Sequence, residues 1–278
     1  MLKAATTMEN VELGDSVIKA LVLTTGRQMG MVLVCYAGVG AQTAFVVANS
    51  SGPTGLGSLF IIGIAYGFGI AMSIVVCNTQ NPCIIVTLVV FKKFPVGKAI
   101  RNIICQIIGG YVAILLIYIQ WKSFFSQIEA TLAAEGTLAT TLFTPAGPAG
   151  VLAFYAPPGI SLGLIFCNEF FTDFILGFIV FACADPLNYN VPHKTLPWLI
   201  GFSYIVAIWG YGPVGLAANT ARDLSGRFAA LTIWGTRAWG GQYAAIAALT
   251  NFPATILGYI AYEMILVDSR LCSKQPLI

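Results

Sequence analysis

Two short polar stretches interrupt long apolar runs, and both contain residues that handle oxygen-bearing solutes well. They are Asn81-Pro82-Cys83 and Asn219-Thr220-Ala221-Arg222, about half a chain apart in 278 residues. An asparagine carboxamide can accept backbone N–H groups at a helix start while pointing its own N–H donors elsewhere. Pro82 stands where a missing N–H is tolerated, at the first helical position, and Thr220 holds the equivalent place in the second stretch. Each asparagine therefore predicts the start of a short helix, and two such starts aim two positive dipole ends at one place. An oxygen that accepts from both amides is turned so that it cannot pass protons along a file of water. Arg222, one turn past Asn219, adds donors and a fixed positive charge that repels cations. This is chemistry for letting neutral molecules through. No nucleophile–base set, metal-ligand spacing or phosphate-binding loop accompanies it, so the sequence predicts neither an enzyme nor a bound cofactor or metal.

The elements that must hold these groups lie in a bilayer. Hydrophobic residues make up 58% of the chain and charged residues 9%, where a soluble domain carries about 25% charged. The formal charge of +3 is too small to suggest nucleic acid. Seven cysteines, almost all within or beside apolar runs, read as small buried hydrophobes rather than as a disulfide framework. Residues 1–26 show no basic segment followed by an apolar core, so no cleavable signal peptide is expected.

Taken in order, the apolar runs predict spans at Met29–Ala48, Leu56–Cys77, Ile100–Ile119, Ser161–Ala184, Leu196–Leu216 and Gln242–Val267. Asn81–Phe91 and Asn219–Ala230 are too short to cross and are expected as half-helices. Gly63, Gly67 and Gly69 mark the second span for close helix contact. Gln120–Ile160, with Pro145, Pro148, Pro157 and Pro158, reads as a connecting loop. The expected fold is an all-α membrane protein of six transmembrane helices plus two re-entrant half-helices in an inverted repeat. The expected division is a tail at 1–26, a channel domain at 27–267 and a tail at 268–278, with repeats at about 27–120 and 161–267 joined by 121–160. With the N-terminus cytoplasmic, all of the 14 basic residues except Lys122, Arg222, Arg227 and Arg237 fall inside, so both termini are expected in the cytoplasm.

The paired motifs within six spans resemble those of the major intrinsic proteins, the aquaporin and aquaglyceroporin channels, over nearly the whole chain from Gly30 to about Tyr262. Asn81-Pro82-Cys83 and Asn219-Thr220-Ala221 resemble the family's paired Asn-Pro-Ala motifs, and Arg222 its filter arginine. Asp223, Gly226-Arg227-Phe228 and Ile233-Trp234-Gly235 resemble the glycerol-facilitator branch. Cys83 for Ala, Thr220 for Pro, Gln28 for a first-span glutamate and Cys77-Asn-Thr-Gln80 before the first motif suggest an atypical subfamily, fungal or X-intrinsic-like.

The resemblance implies a passive channel for glycerol and similar polyols, urea or hydrogen peroxide, and water. It also implies a homotetramer in a lipid bilayer, with the plasma membrane as the expected site. By family spacing the filter falls on Ile61, Ala207, Leu216 and Arg222, with Tyr66 as the alternative to Ile61 suggested by the glycine pattern. Gln28, Glu169 and Asp223 are expected to brace the re-entrant loops. Three residues stay open on the sequence. Asp173 is either functional or a paired structural carboxylate. His193 is a solvated loop residue or a pH sensor. Cys83 is a mercurial target if its sulfur faces the pore. Two other readings compete with the channel: a proton-coupled secondary transporter using Asp173 or Glu169, and a closed, channel-like scaffold.

Overall fold

The computed structural model describes residues 30–47, 50, 56–78, 81–212 and 215–267. Every regular element among them is helical. Gln28, the two tails, and the loop residues 79–80 and 213–214 lie outside the described residues, and with them one of the expected braces. The first span is α1, Gly30–Val47. Next come α2 (Leu59–Cys77) and the half-helix α3 (Pro82–Lys92). Ser58 caps α2, and Asn81 caps α3 with Pro82 at its first position, as the motif predicted.

The third span departs from expectation. α4 runs from Val96 to Ala134, 39 residues rather than the twenty or so read at Ile100–Ile119, and takes in much of the expected connecting loop. At 1.5 Å per residue it is about 58 Å long, against a hydrocarbon core of about 30 Å. Its second half mixes polar and apolar residues and is unbroken by Gly or Pro until Gly136. Trp121, Phe125 and Ile128 recur at helical spacing, and Phe125 and Ile128 are buried. Gly136, with φ +72°, then ends the helix, and the N–H of Thr137 donates back to Leu132 O at 2.9 Å. Trp234 Nε1 donates to Glu129 at 3.0 Å and ties this extension to the second half of the chain. The short helices α5 (Leu138–Thr141) and α6 (Pro148–Leu152) follow.

In the second half, α7 spans Leu162–Ala184. The expected fifth span is shorter than Leu196–Leu216: α8 (Leu196–Val206) gives 11 residues and a π-helical turn, Ala207–Tyr211, gives 5 more. Gly210, Gly212 and Gly215 withdraw helix propensity there, and residues 215–219 are irregular. The second half-helix, α9, covers Thr220–Trp234. The last span is interrupted: α10 (Tyr243–Leu249) and α11 (Asn251–Tyr262) meet at Thr250, where Pro253 can neither donate nor accommodate the carbonyl one turn back. By length and apolarity, α1, α2, α4, α7 and the segment Tyr243–Val267 can each cross a bilayer.

The helices pack as two interlocked halves. α2 lies along α8, and α7 along α11. Each half-helix leans on the other half's last span: α3 on α11, and α9 on α4. The glycines of α2 set this closeness, because a methyl on Gly67 would overlap Ile205 and the Gly201 carbonyl, and one on Gly63 would overlap Trp209.

Candidate functional site

Both asparagines cap their helices, and the structure brings them together. Asn81 Oδ1 accepts the N–H of Cys83 at 3.3 Å, and Asn219 Oδ1 accepts those of Ala221 at 2.9 Å and Arg222 at 3.2 Å. The two loops are joined directly, because Asn81 Nδ2 donates to Ala218 O at 2.6 Å. Ala218 reaches this pose in a left-handed conformation, φ +50°, which a residue with a Cβ adopts only under constraint. Glu169 supplies the constraint. Its two oxygens accept the N–H groups of Ala217 at 3.0 Å and Ala218 at 2.6 Å. Asn168 Nδ2 adds a bond to Gly215 O at 2.8 Å.

Thr220, in the place of the family's proline, has a use for its hydroxyl. The oxygen lies 2.9 Å from Ala248 O and 2.8 Å from Asn251 Oδ1, beside the break between α10 and α11. A proline could not tie α9 to this break. Pro82, Cys83 and Ala221 are buried. Cys83 is 2% exposed and packs among Leu176, Tyr204 and Ala207, so its sulfur does not face a cavity as a mercurial target would.

Two cavities meet at this junction. The larger, about 490 Å³, is lined by Asn78, Asn81, Lys92, His193 and Tyr204 among others. The smaller, about 250 Å³, reaches Tyr66, Phe154, Leu216 and Arg222. Val34, Ile70, Tyr204 and Asn219 line both, so they form the waist between them.

The arginine is fixed on every side but one. Arg222 Nε donates to Tyr66 Oη at 3.0 Å, one terminal nitrogen donates to Leu152 O at 2.8 Å, and the Phe154 ring centre lies 4.0 Å from the guanidinium carbon. The other terminal nitrogen has no partner among the described residues. Phe154 is held in turn by the next arginine. Arg227 pairs with Asp223 at 2.6 Å and donates to Phe154 O at 3.3 Å and Trp239 O at 2.7 Å. This pair is wholly buried, and those carbonyls take up donors that the carboxylate leaves over.

Two of the four expected filter residues need correction. Ile61 is 41% exposed and points away from both cavities, whereas Tyr66 touches Arg222. The cavity-facing stripe of α2 is Ile62, Tyr66, Ile70 and Ile74, at the four-residue spacing of one helix face, and Ile61 is off that face. Ala207 is fully buried in packing, and the next residue in the π-helical turn, Ile208, lines the smaller cavity. Leu216 and Arg222 both line the smaller cavity. Phe154, Tyr204 and the Leu152 carbonyl were not foreseen. Leu152 ends the short helix α6 and Phe154 lies in the loop just after it, with no local signal. Tyr204 does fall on a helical stripe with Ile200 and Ile208, which could have flagged it. Glu169 and Asp173 are both 2% exposed and line neither cavity, so the carboxylates that a coupled transporter would use do not face the path.

A sequence profile described as Major intrinsic protein matches residues 18–243. The chain is 43% identical over 247 residues to Aquaporin-3 of Laccaria bicolor, covering 87% of this chain and 75% of that one. It is 31% identical over 245 residues to the Glycerol uptake facilitator protein of Haemophilus influenzae, covering 85% of this chain and 89% of that one. The X-ray structure of the aquaglyceroporin from Plasmodium falciparum superposes with a TM-score of 0.71 at 18% identity, covering 90% of this chain and all of that one, a likeness of fold.

Proposed function

Because this chain belongs to the major intrinsic protein family and is a passive membrane channel, we propose that it carries glycerol and other small polyols together with water, and excludes ions and protons. The observation that carries this reading is the smaller cavity. Leu216, Ile208 and Phe154 offer an apolar wall, and Arg222, one of whose terminal nitrogens has no partner among the described residues, lines the same cavity. A polyol has the matching outline, with carbon on one side and hydroxyls on the other. Urea and hydrogen peroxide are smaller and fit the same wall less fully. Relatives named for glycerol uptake support the choice. The filter in this reading is Tyr66, Leu216 and Arg222, with Phe154 as a cover. Asn219 is the midplane donor, and Glu169 and Asp223 brace the loops.

We place the channel domain at about residues 27–267, in the plasma membrane, with both termini cytoplasmic and one pore in each protomer of a homotetramer. The basic residues at Lys92, Lys93, Lys98 and Arg101 support that orientation.

Proteoliposomes of the purified protein test the function by stopped-flow light scattering. A sucrose shock reads water flow and a glycerol gradient reads solute flow. Fast glycerol re-swelling is expected, and Arg222→Ala is expected to admit protons that the parent excludes. Fast water flow with glycerol at the level of empty vesicles would overturn the polyol assignment.

A further inference from the structure

Tyr204 stands where the two cavities join, and its bonding differs from what paired asparagines alone would give. The ring projects from α8 and lines both cavities, as do Ile70 and Val34. Its hydroxyl accepts from Asn81 Nδ2 at 3.0 Å. The second proton of that amide goes to Ala218 O at 2.6 Å. A carboxamide has two N–H donors, so Asn81 has none left for a molecule in the path. Tyr204 has accepted a bond, and its own proton serves no group among the described residues. Asn219 likewise donates its amide to none of them. The waist therefore presents one phenol O–H and one amide, between the aliphatic faces of Ile70 and Val34.

We propose that Tyr204 is a specificity-determining residue at the middle of the pore. It substitutes its hydroxyl for the donor of Asn81, and its ring, pinned across the waist by that bond, sets the width for a carbon chain. Water passes by exchanging one hydrogen bond with the phenol and one with Asn219. A polyol must also move its carbon backbone past the ring, which requires the ring to swing and the Asn81 bond to break. The proposal concerns the selectivity of the solute channel assigned above and rests on that reading. The expected size of the effect follows from the bond: releasing one neutral hydrogen bond is worth about a fivefold change in rate.

The test uses Tyr204→Phe and Tyr204→Ala in full-length protein, with water and glycerol permeabilities measured on the same proteoliposome preparations. Tyr204→Phe keeps the bulk and loses the pin, so the ratio of glycerol to water permeability should rise about fivefold. Tyr204→Ala removes the obstruction and should raise the ratio further. Elution as a single oligomer by size exclusion shows each variant folded; if Tyr204→Ala fails there, the near-isosteric Phe variant decides alone. A conducting parent whose ratio is unchanged in Tyr204→Phe overturns this inference and leaves the channel assignment standing. A silent parent with a conducting variant supports the obstruction. No flux in parent or variants overturns both.

Discussion

Glu169 holds the loop before Asn219 by two hydrogen bonds, and its removal gives a quantitative test. The carboxylate accepts from Ala217 and Ala218, whose N–H groups are turned inward just before Asn219. Each such charge-assisted bond is worth about 1.5–3 kcal/mol. Glutamine keeps one acceptor oxygen and sets an NH₂ against the other N–H, so Glu169→Gln should cost about 2–3 kcal/mol of stability, one such bond. Alanine leaves two buried N–H groups unpaired and should cost about 4 kcal/mol or more. The effect on flux follows from the backbone. Ala218 holds φ +50°, a strain of about 1–3 kcal/mol that the two bonds offset. Without them the residue relaxes toward negative φ, its carbonyl leaves Asn81, and the two loops part. Thermal unfolding in detergent reads the stability, and stopped-flow scattering reads glycerol flux in parallel. Both should fall in the order parent, Gln, Ala. A Glu169→Ala protein that melts with the parent and conducts within about twofold of it would refute the reasoning, since it would leave the left-handed Ala218 unsupported at no cost.

Other outcomes follow from single contacts. Ile61→Ala should leave glycerol flux unchanged, because the residue faces outward, while Tyr66→Phe frees Arg222 Nε and should change the glycerol-to-urea ratio in the same flux assay. Gly67→Ala places a methyl against Ile205 and the Gly201 carbonyl and should destabilise the α2–α8 contact by about 1–3 kcal/mol, read as a lower melting point. Thr220→Val keeps the shape but removes the hydroxyl, whose single proton serves one of the acceptors at Ala248 and Asn251, for a loss of about 1–3 kcal/mol measured the same way.

The sequence alone determined the class and the plan. Long apolar runs could only be spans, and two Asn-capped runs too short to cross could only be half-helices, because a bilayer leaves backbone groups no other partners. It also singled out Asn81 and Asn219 as helix caps in apolar sequence, while Arg222 and Glu169 were named through the family resemblance. Tertiary structure decided the rest. The extension of α4 to Ala134 depends on Phe125, Trp234 and Glu129 meeting across 105 residues of chain, a contact that periodicity hints at and only packing completes. Tyr66 rather than Ile61 faces Arg222 because the rotation of α2 is set by Gly63 and Gly67 against α8, and a shift of one residue turns a helix by about 100°. Phe154 reaches the guanidinium from a loop held by Asp223 and Arg227, and Tyr204 meets Asn81 across 123 residues. The stripe of Ile200, Tyr204 and Ile208 marks a helix face but not the bond to Asn81, and nothing around Phe154 marks its contact, because each partner lies in a distant stretch of the chain.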